Sequence, residues 1–126
     1  MQTQQRPTVA LLEDDPDIVE VLQFLLRDRG LRVLVCSLRH DVHRCLVETQ
    51  PRLIILDVRM GAVDGISVFQ QLRADPAMGD VPVIFFTATE QRVVSRIPNY
   101  KELNASFVGK PNMRGLTDRI DAILHL

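Results

Sequence analysis

The sequence predicts an α/β protein, a doubly wound parallel sheet with helices on both faces, and three observations lead there. Five short apolar runs alternate with segments whose apolar residues recur at helical spacing, the order that builds βα units joined by right-handed crossovers. The central run, Leu53-Ile54-Ile55-Leu56, is apolar at every position, as a strand buried on both faces requires. Asp57 follows it at once. Burying an unpaired carboxylate costs several kcal/mol. Asp57 therefore belongs where the strand opens to solvent, at the carboxyl edge where such sheets bind ligands.

Each element carries its own local signals. Val9 to Leu12 reads as strand one and stops at Glu13-Asp14-Asp15-Pro16. Asp15 is placed to cap a helix whose first position is Pro16, and Ile18, Val19, Val21, Leu22, Leu25 and Leu26 supply its apolar stripe. Gly30 ends it. Arg32 to Cys36 is strand two, and Asp41 to Thr49 a second helix with Val42, Cys45 and Leu46 on one face. Gln50-Pro51 closes that helix before the central strand. The third helix begins at Asp64 or Gly65 and carries Ile66, Val68, Phe69 and Leu72. Val81 to Phe86 is strand four, with Pro82 near its start, where a missing N–H is tolerated. Between Ala88 and Asn104 two readings stand, a helix over Glu90 to Arg96 or a short one from Pro98 to Leu103. Pro98 forbids a continuous helix through its own position. Ser106 to Val108 is strand five, and Pro111 to Leu126 a closing helix with Leu116, Ile120, Ile123 and Leu124 inside.

The 126 residues suffice for one domain with a real core and not for two, so a loose lead-in over residues 1–7 and a single domain over 8–126 are expected. Hydrophobic residues at 46% and charged residues at 25% fit a soluble globular protein. A net charge of −1 gives no case for a nucleic-acid or anionic-membrane surface. No apolar run approaches the ~18 residues of a membrane span. Cys36 and Cys45 lie in apolar periodic segments and read as two buried thiols, neither a disulfide nor a metal pair, which suggests the cytoplasm. His40, His43 and His125 lack metal-ligand spacing and read as surface residues. Lys101 reads as a solvated charge, and Thr89 and Ser95 as helix caps. No output domain is expected after the last helix, which fits a stand-alone protein or one domain of a longer one.

The residues that follow the apolar runs form a constellation. Strand one ends at Glu13-Asp14, strand three at Asp57, strand four at Thr87, and strand five at Lys110. Carboxylates brought to one edge repel, so something must offset them. Oxygen ligands without His or Cys point to Mg²⁺ rather than Zn²⁺. Lys110 suits a phosphoryl group as a point charge, and Thr87 as a hydroxyl donor. A strand-end Asp can itself take up a phosphoryl group covalently.

Together, Glu13-Asp14, Asp57-Val58-Arg59-Met60 with Asp64-Gly65, Thr87-Ala88 and Lys110-Pro111 resemble the receiver domain of two-component response regulators, over nearly the whole chain. The resemblance implies a flavodoxin-like sheet of strand order 2-1-3-4-5. It implies that Asp57 is the phosphoacceptor, charged by a histidine kinase or phosphotransfer protein, and that the chain is not an enzyme beyond its own phosphorylation and dephosphorylation. Asp14 and Asp57 would bind Mg²⁺ through side chains, Arg59 through its backbone carbonyl, and Glu13 through a water. Thr87 and Lys110 would hold the phosphoryl oxygens, and Thr87 and Phe107 would form the switch. The Lys110–Pro111 bond is expected cis. Output would pass to an unnamed effector, or through a dimer formed by the fourth helix region, strand five and the last helix.

Three departures from the family pattern matter. Gly61 stands where Pro is usual and implies a looser loop; Phe107 lacks the hydroxyl of the commoner Tyr; and Pro98 breaks the usual fourth helix. Two other functions compete. A degenerate receiver would serve as a docking module without phosphorylation. An aspartate-nucleophile phosphatase would need an acid two residues past Asp57, where Arg59 stands instead.

Overall fold

Successive residues of a strand face opposite ways, and that alternation splits the interior into two apolar layers. Ala10, Leu12, Ile54, Leu56, Val83 and Phe85 face one layer. Val9, Leu11, Leu53, Ile55, Ile84 and Phe86 face the other. The computed structural model describes residues 8–37 and 41–126. The lead-in reading of residues 1–7 and the surface reading of His40 fall outside them.

The main sheet holds β1 (Thr8–Leu12), β2 (Arg32–Val35), β3 (Leu53–Leu56), β4 (Val83–Thr87) and β5 (Ala105–Gly109). All neighbours pair in parallel, in spatial order β2-β1-β3-β4-β5. The expected 2-1-3-4-5 order is therefore the observed one. α1 (Pro16–Asp28) and α5 (Met113–Leu124) cover one face, with Leu22, Leu26, Leu116 and Ile120 buried against it. α2 (Val42–Thr49) and α3 (Gly65–Ala74) lie on the other face, joined by α4 (Gln91–Val94).

The predicted Asp15 cap forms, and Asp41 and Asp64, read as helix starts, also cap their helices. Asp15 accepts backbone N–H bonds from Asp17 and Ile18, Asp41 from Arg44, and Asp64 from Ile66. Gly30 takes a φ of +76° just past α1. Strand four starts two residues later than the apolar run suggests. Val81 is held in a turn by its N–H bond to the Met78 carbonyl, and Pro82 contributes only its carbonyl, to Ile54.

Both readings of residues 88–104 hold in part. α4 stops after one turn, Ile97 closes on the Val93 carbonyl, and a 3₁₀ helix follows over Tyr100–Leu103. Thr89 does not cap α4; Glu90 holds the N-cap position and makes no capping side-chain bond either. Arg73 anchors this region from α3. Its guanidinium donates to the carbonyls of Val81, Leu103 and Asn104 and lies 4.7 Å above the Phe69 ring.

The cysteine reading is corrected. Cys36 and Cys45 form a disulfide, with Cα atoms 5.8 Å apart. The inner face of α2 packs back over the end of β2, so two positions nine residues apart meet within bridging distance. The pairing also removes the support that free thiols lent to a cytoplasmic setting.

Candidate functional site

The β-strand ends deliver the site. Asp57 directly follows β3, and its N–H bonds the Leu12 carbonyl, which fixes it beside Glu13 and Asp14 at the end of β1. Carboxylate oxygens of Glu13, Asp14 and Asp57 lie within 4.8 Å of one another. Glu13 and Asp57 are buried and Asp14 is exposed, so the cluster opens outward at Asp14. Helix α3 closes in from the other side. A Cβ on Gly65 would stand 2.0 Å from the Asp57 carbonyl oxygen, so only glycine lets α3 begin this close to the strand end.

Lys110 is the counter-charge. Its Nζ lies 2.6 Å from Glu13 Oε1 and donates to Asp57 Oδ2 at 2.8 Å. The Lys110–Pro111 bond is cis, as expected. Burial by itself disfavours the Lys110 ammonium, but its bonds to Asp57 and Glu13 outweigh that and raise its pKa. Burial raises the Glu13 pKa, with Asp57 adding repulsion, against the pull of Lys110 and the Asp15 N–H. Glu13 spends both oxygens inside the protein, Oε1 on Lys110 and Oε2 on the N–H groups of Asp14 and Asp15. Asp57 Oδ1 receives only a long 3.4 Å contact from the Arg59 N–H. Asp57 Oδ1 and the Asp14 carboxylate are thus the oxygens available to a cation.

Thr87 ends β4 at the same edge, and its carbonyl accepts the Lys110 N–H at 2.8 Å. Its hydroxyl is buried and has no partner among the described residues. A buried hydroxyl left unpaired costs about 1–3 kcal/mol. Beside a lysine and a carboxylate cluster, an unpaired donor suits an anionic oxygen. The donor set therefore fits both groups expected from the sequence, a hard divalent cation among the acids and a phosphoryl group between Thr87 and Lys110.

The family model of the response regulator receiver domain matches residues 9–121. The chain belongs to this family. This receiver is 29% identical over 119 residues to the DNA-binding dual master transcriptional regulator RpaA of Synechocystis, covering 94% of the chain and 49% of that protein. It thus spans about half the length of that curated relative. The signal receiver domain of a DNA-binding response regulator from Colwellia psychrerythraea superposes with a TM-score of 0.81 at 25% identity, covering 95% of this chain and 99% of that one. The receiver domain of the sensor histidine kinase PA1611 of Pseudomonas aeruginosa, which carries a magnesium ion in its active-site cleft, superposes at 0.77 with 24% identity, covering 97% and 100%.

The other expected residues lie around this edge or elsewhere in the fold. Arg59 is exposed beside the cleft lined by Arg92 and Arg96, in a two-residue hairpin strand that pairs with Val63–Asp64. Gly61 turns that hairpin with a φ of +59°. Proline, fixed near −65°, cannot take that conformation, so glycine serves a defined turn here. Phe107 is half-buried in β5 beside Phe85 and borders a groove with Glu90, Tyr100 and Arg119. His43 binds Asp75 at 3.1 Å, joining α2 to the end of α3. Ser37 has a role the motifs do not disclose. Its hydroxyl donates to the Glu13 carbonyl at 2.6 Å and steadies the acid loop. Its only sequence signal is its place, just past a strand at the carboxyl edge. Among the described residues, no helix is long and apolar enough to cross a membrane.

Proposed function

We propose that this receiver, acting as one unit over residues 8–126, is a switch that accepts a phosphoryl group on Asp57. The donor is a phosphohistidine on a histidine kinase or phosphotransfer protein. The P–N bond breaks as a P–O bond forms to the Asp57 carboxylate, and the freed imidazole takes up a proton. The observation that carries this reading is the Asp57 carboxylate held between Lys110 and two further acids, with an unpartnered Thr87 hydroxyl at the same edge. Such transfer needs positioning and charge neutralisation and little else.

Asp14 and Asp57 would hold Mg²⁺ directly. Arg59 would add its backbone carbonyl and Glu13 a water, since Glu13's own oxygens are already engaged. When bound, the ion neutralises charge between the carboxylates and the incoming phosphoryl oxygens. Lys110 and Thr87 would then orient those oxygens. Catalysis is confined to the chain's own phosphorylation and dephosphorylation. The setting is cytoplasmic. Output runs through α4, β5 and α5 to an effector or a second copy.

The test incubates the full chain with a small acyl phosphate and Mg²⁺ and reads intact mass. Uptake of one phosphoryl group, lost in Asp57→Asn and on chelation, is the expected result. No uptake would leave a docking module, and continuous release of inorganic phosphate in large excess over protein would mean a phosphatase.

A further inference from the structure

The disulfide and the acid loop are joined by one residue. Cys36 directly follows β2 and keeps that strand's bond to β1 through its N–H to the Leu11 carbonyl. Its sulfur is tied to Cys45 in the first half of α2. Ser37 comes next, and its hydroxyl holds the Glu13 carbonyl at 2.6 Å. Glu13 in turn holds Lys110 and the backbone of Asp14 and Asp15. From sulfur to acid cluster the path is one peptide link, Cys36 to Ser37, and one short hydrogen bond, Ser37 to Glu13.

Thr49 stands beside the Cys36 sulfur. Thr49 Oγ1 lies 3.9 Å from Cys36 Sγ while donating its own proton to the Cys45 carbonyl. A disulfide sulfur has no proton to offer, so this contact becomes a hydrogen bond only when Cys36 is a thiol. The two sulfurs also differ in access. Cys36 is fully buried, whereas Cys45 retains 9% exposure. Of the two residues, Cys45 is the one nearer solvent.

We infer that Cys36–Cys45 is a redox modification site, and that Ser37 transmits its state to the metal-binding loop at Glu13–Asp14. The inference rests on the receiver reading only for what that loop binds. The reaction is exchange with a small or protein dithiol. One reductant thiolate attacks Cys45 Sγ, the bridge breaks, and Cys36 leaves as a thiolate that takes a proton and turns to Thr49. The reductant's second thiolate then displaces Cys45 from the mixed disulfide, and Cys45 is protonated. Two electrons pass to the bridge, and the reductant ends as its own disulfide. Bridges in reducing compartments are commonly transient and redox-sensing, which suits a pair whose opened form already has a partner. Opening frees α2 from the end of β2, loosens Ser37, and with it the Glu13 carbonyl.

The full chain is treated with dithiothreitol under native conditions, alkylated, and weighed intact, while backbone amide shifts of Glu13, Asp14 and Asp15 are followed without metal. Both thiols should become alkylated in the folded protein, and the three amides should move. Mg²⁺ binding, read by calorimetry, should weaken by about fivefold, the low end of ordinary site-to-site coupling. Cys45→Ala should show the reduced amide pattern in either buffer. Ser37→Ala should keep the bridge but lose the amide response to reduction. Thiols that react only in denaturant would make the bridge a purely structural staple and overturn the proposal. Amides that do not move on reduction, or move equally in Ser37→Ala, would overturn the transmission. None of these readings depends on Asp57 accepting phosphate.

Discussion

Arg59 stands two residues past Asp57, exposed, and among the described residues no carboxylate pairs with it. It is free to lie over a phosphoryl group on Asp57 and bond its oxygens, and a long guanidinium there does not position an attacking water. A shorter amide at this position would orient that water, as positioning groups do in other phosphoryl transfers. Arg59→Asn is therefore expected to speed loss of phosphate by about tenfold, a barrier change of about 1.4 kcal/mol. Dephosphorylation of the two forms at saturating Mg²⁺ reads this directly, and an unchanged or slower rate would remove the shielding role. The gathering of Glu13, Asp14, Asp57, Thr87 and Lys110 at one sheet edge was readable because one rule of position, a polar residue at the end of an apolar run, finds all five candidates. Ser37 obeys the same rule, yet nothing in the chain says its hydroxyl turns toward the Glu13 carbonyl. The disulfide is less legible still, because a buried cysteine and a bridged one give the same apolar periodicity.

Among the elements, the strands and long helices follow from pattern because their stripes are long and their caps are explicit. The stretch after β4 does not, because its parts are one or two turns long and are held by distant side chains. Arg73 reaches it from α3, and Tyr100 ties its two ends together. The Tyr100 hydroxyl donates to the Glu90 carboxylate, while its ring meets Phe85 edge-on at 6.1 Å. That bond clasps the 3₁₀ helix to the start of α4, across the break at Pro98. Burial, with Glu90 adding to it, pushes the Tyr100 pKa from 10.0 up to about 12. Since the folded value is the higher one, the clasp contributes stability fully below pH 10.0 and loses it as pH rises through about 12. Tyr100 is the only tyrosine and there is no tryptophan, so phenolate absorbance reports it alone. The titration midpoint should lie well above that of free tyrosine and fall in Glu90→Gln. A midpoint at the ordinary tyrosine value would mean that the clasp does not form in solution.

Across the whole molecule, the sheet determines which half can respond to Asp57. Thr87, Phe85 and Val83 alternate onto one face of β4, and Phe107 sits opposite Phe85 in the β5 register. Phe107 packs against the layer that holds Val93, Ile97 and Tyr100, whereas Leu22, Leu116 and Ile120 lie in the layer beyond the sheet. A phosphoryl group on Asp57 adds charge and acceptor oxygens, and the unpartnered Thr87 hydroxyl is free to turn toward them. That movement opens space on one face only, and Phe107 is the half-buried ring beside it. Close-packed layers resist continuous deformation, so the change should stay on that side. With beryllofluoride and Mg²⁺ on the full chain, resonances of Phe107, Tyr100, Val93 and Ile97 should shift, and those of Leu22 and Leu26 in α1 should hold. Thr87→Ala should still bind the mimic at Asp57 but leave Phe107 unmoved, because the hydroxyl that links the two is gone. Equal shifts on both faces would show that the sheet flexes as a body, and the one-sided route through Thr87 would then be wrong.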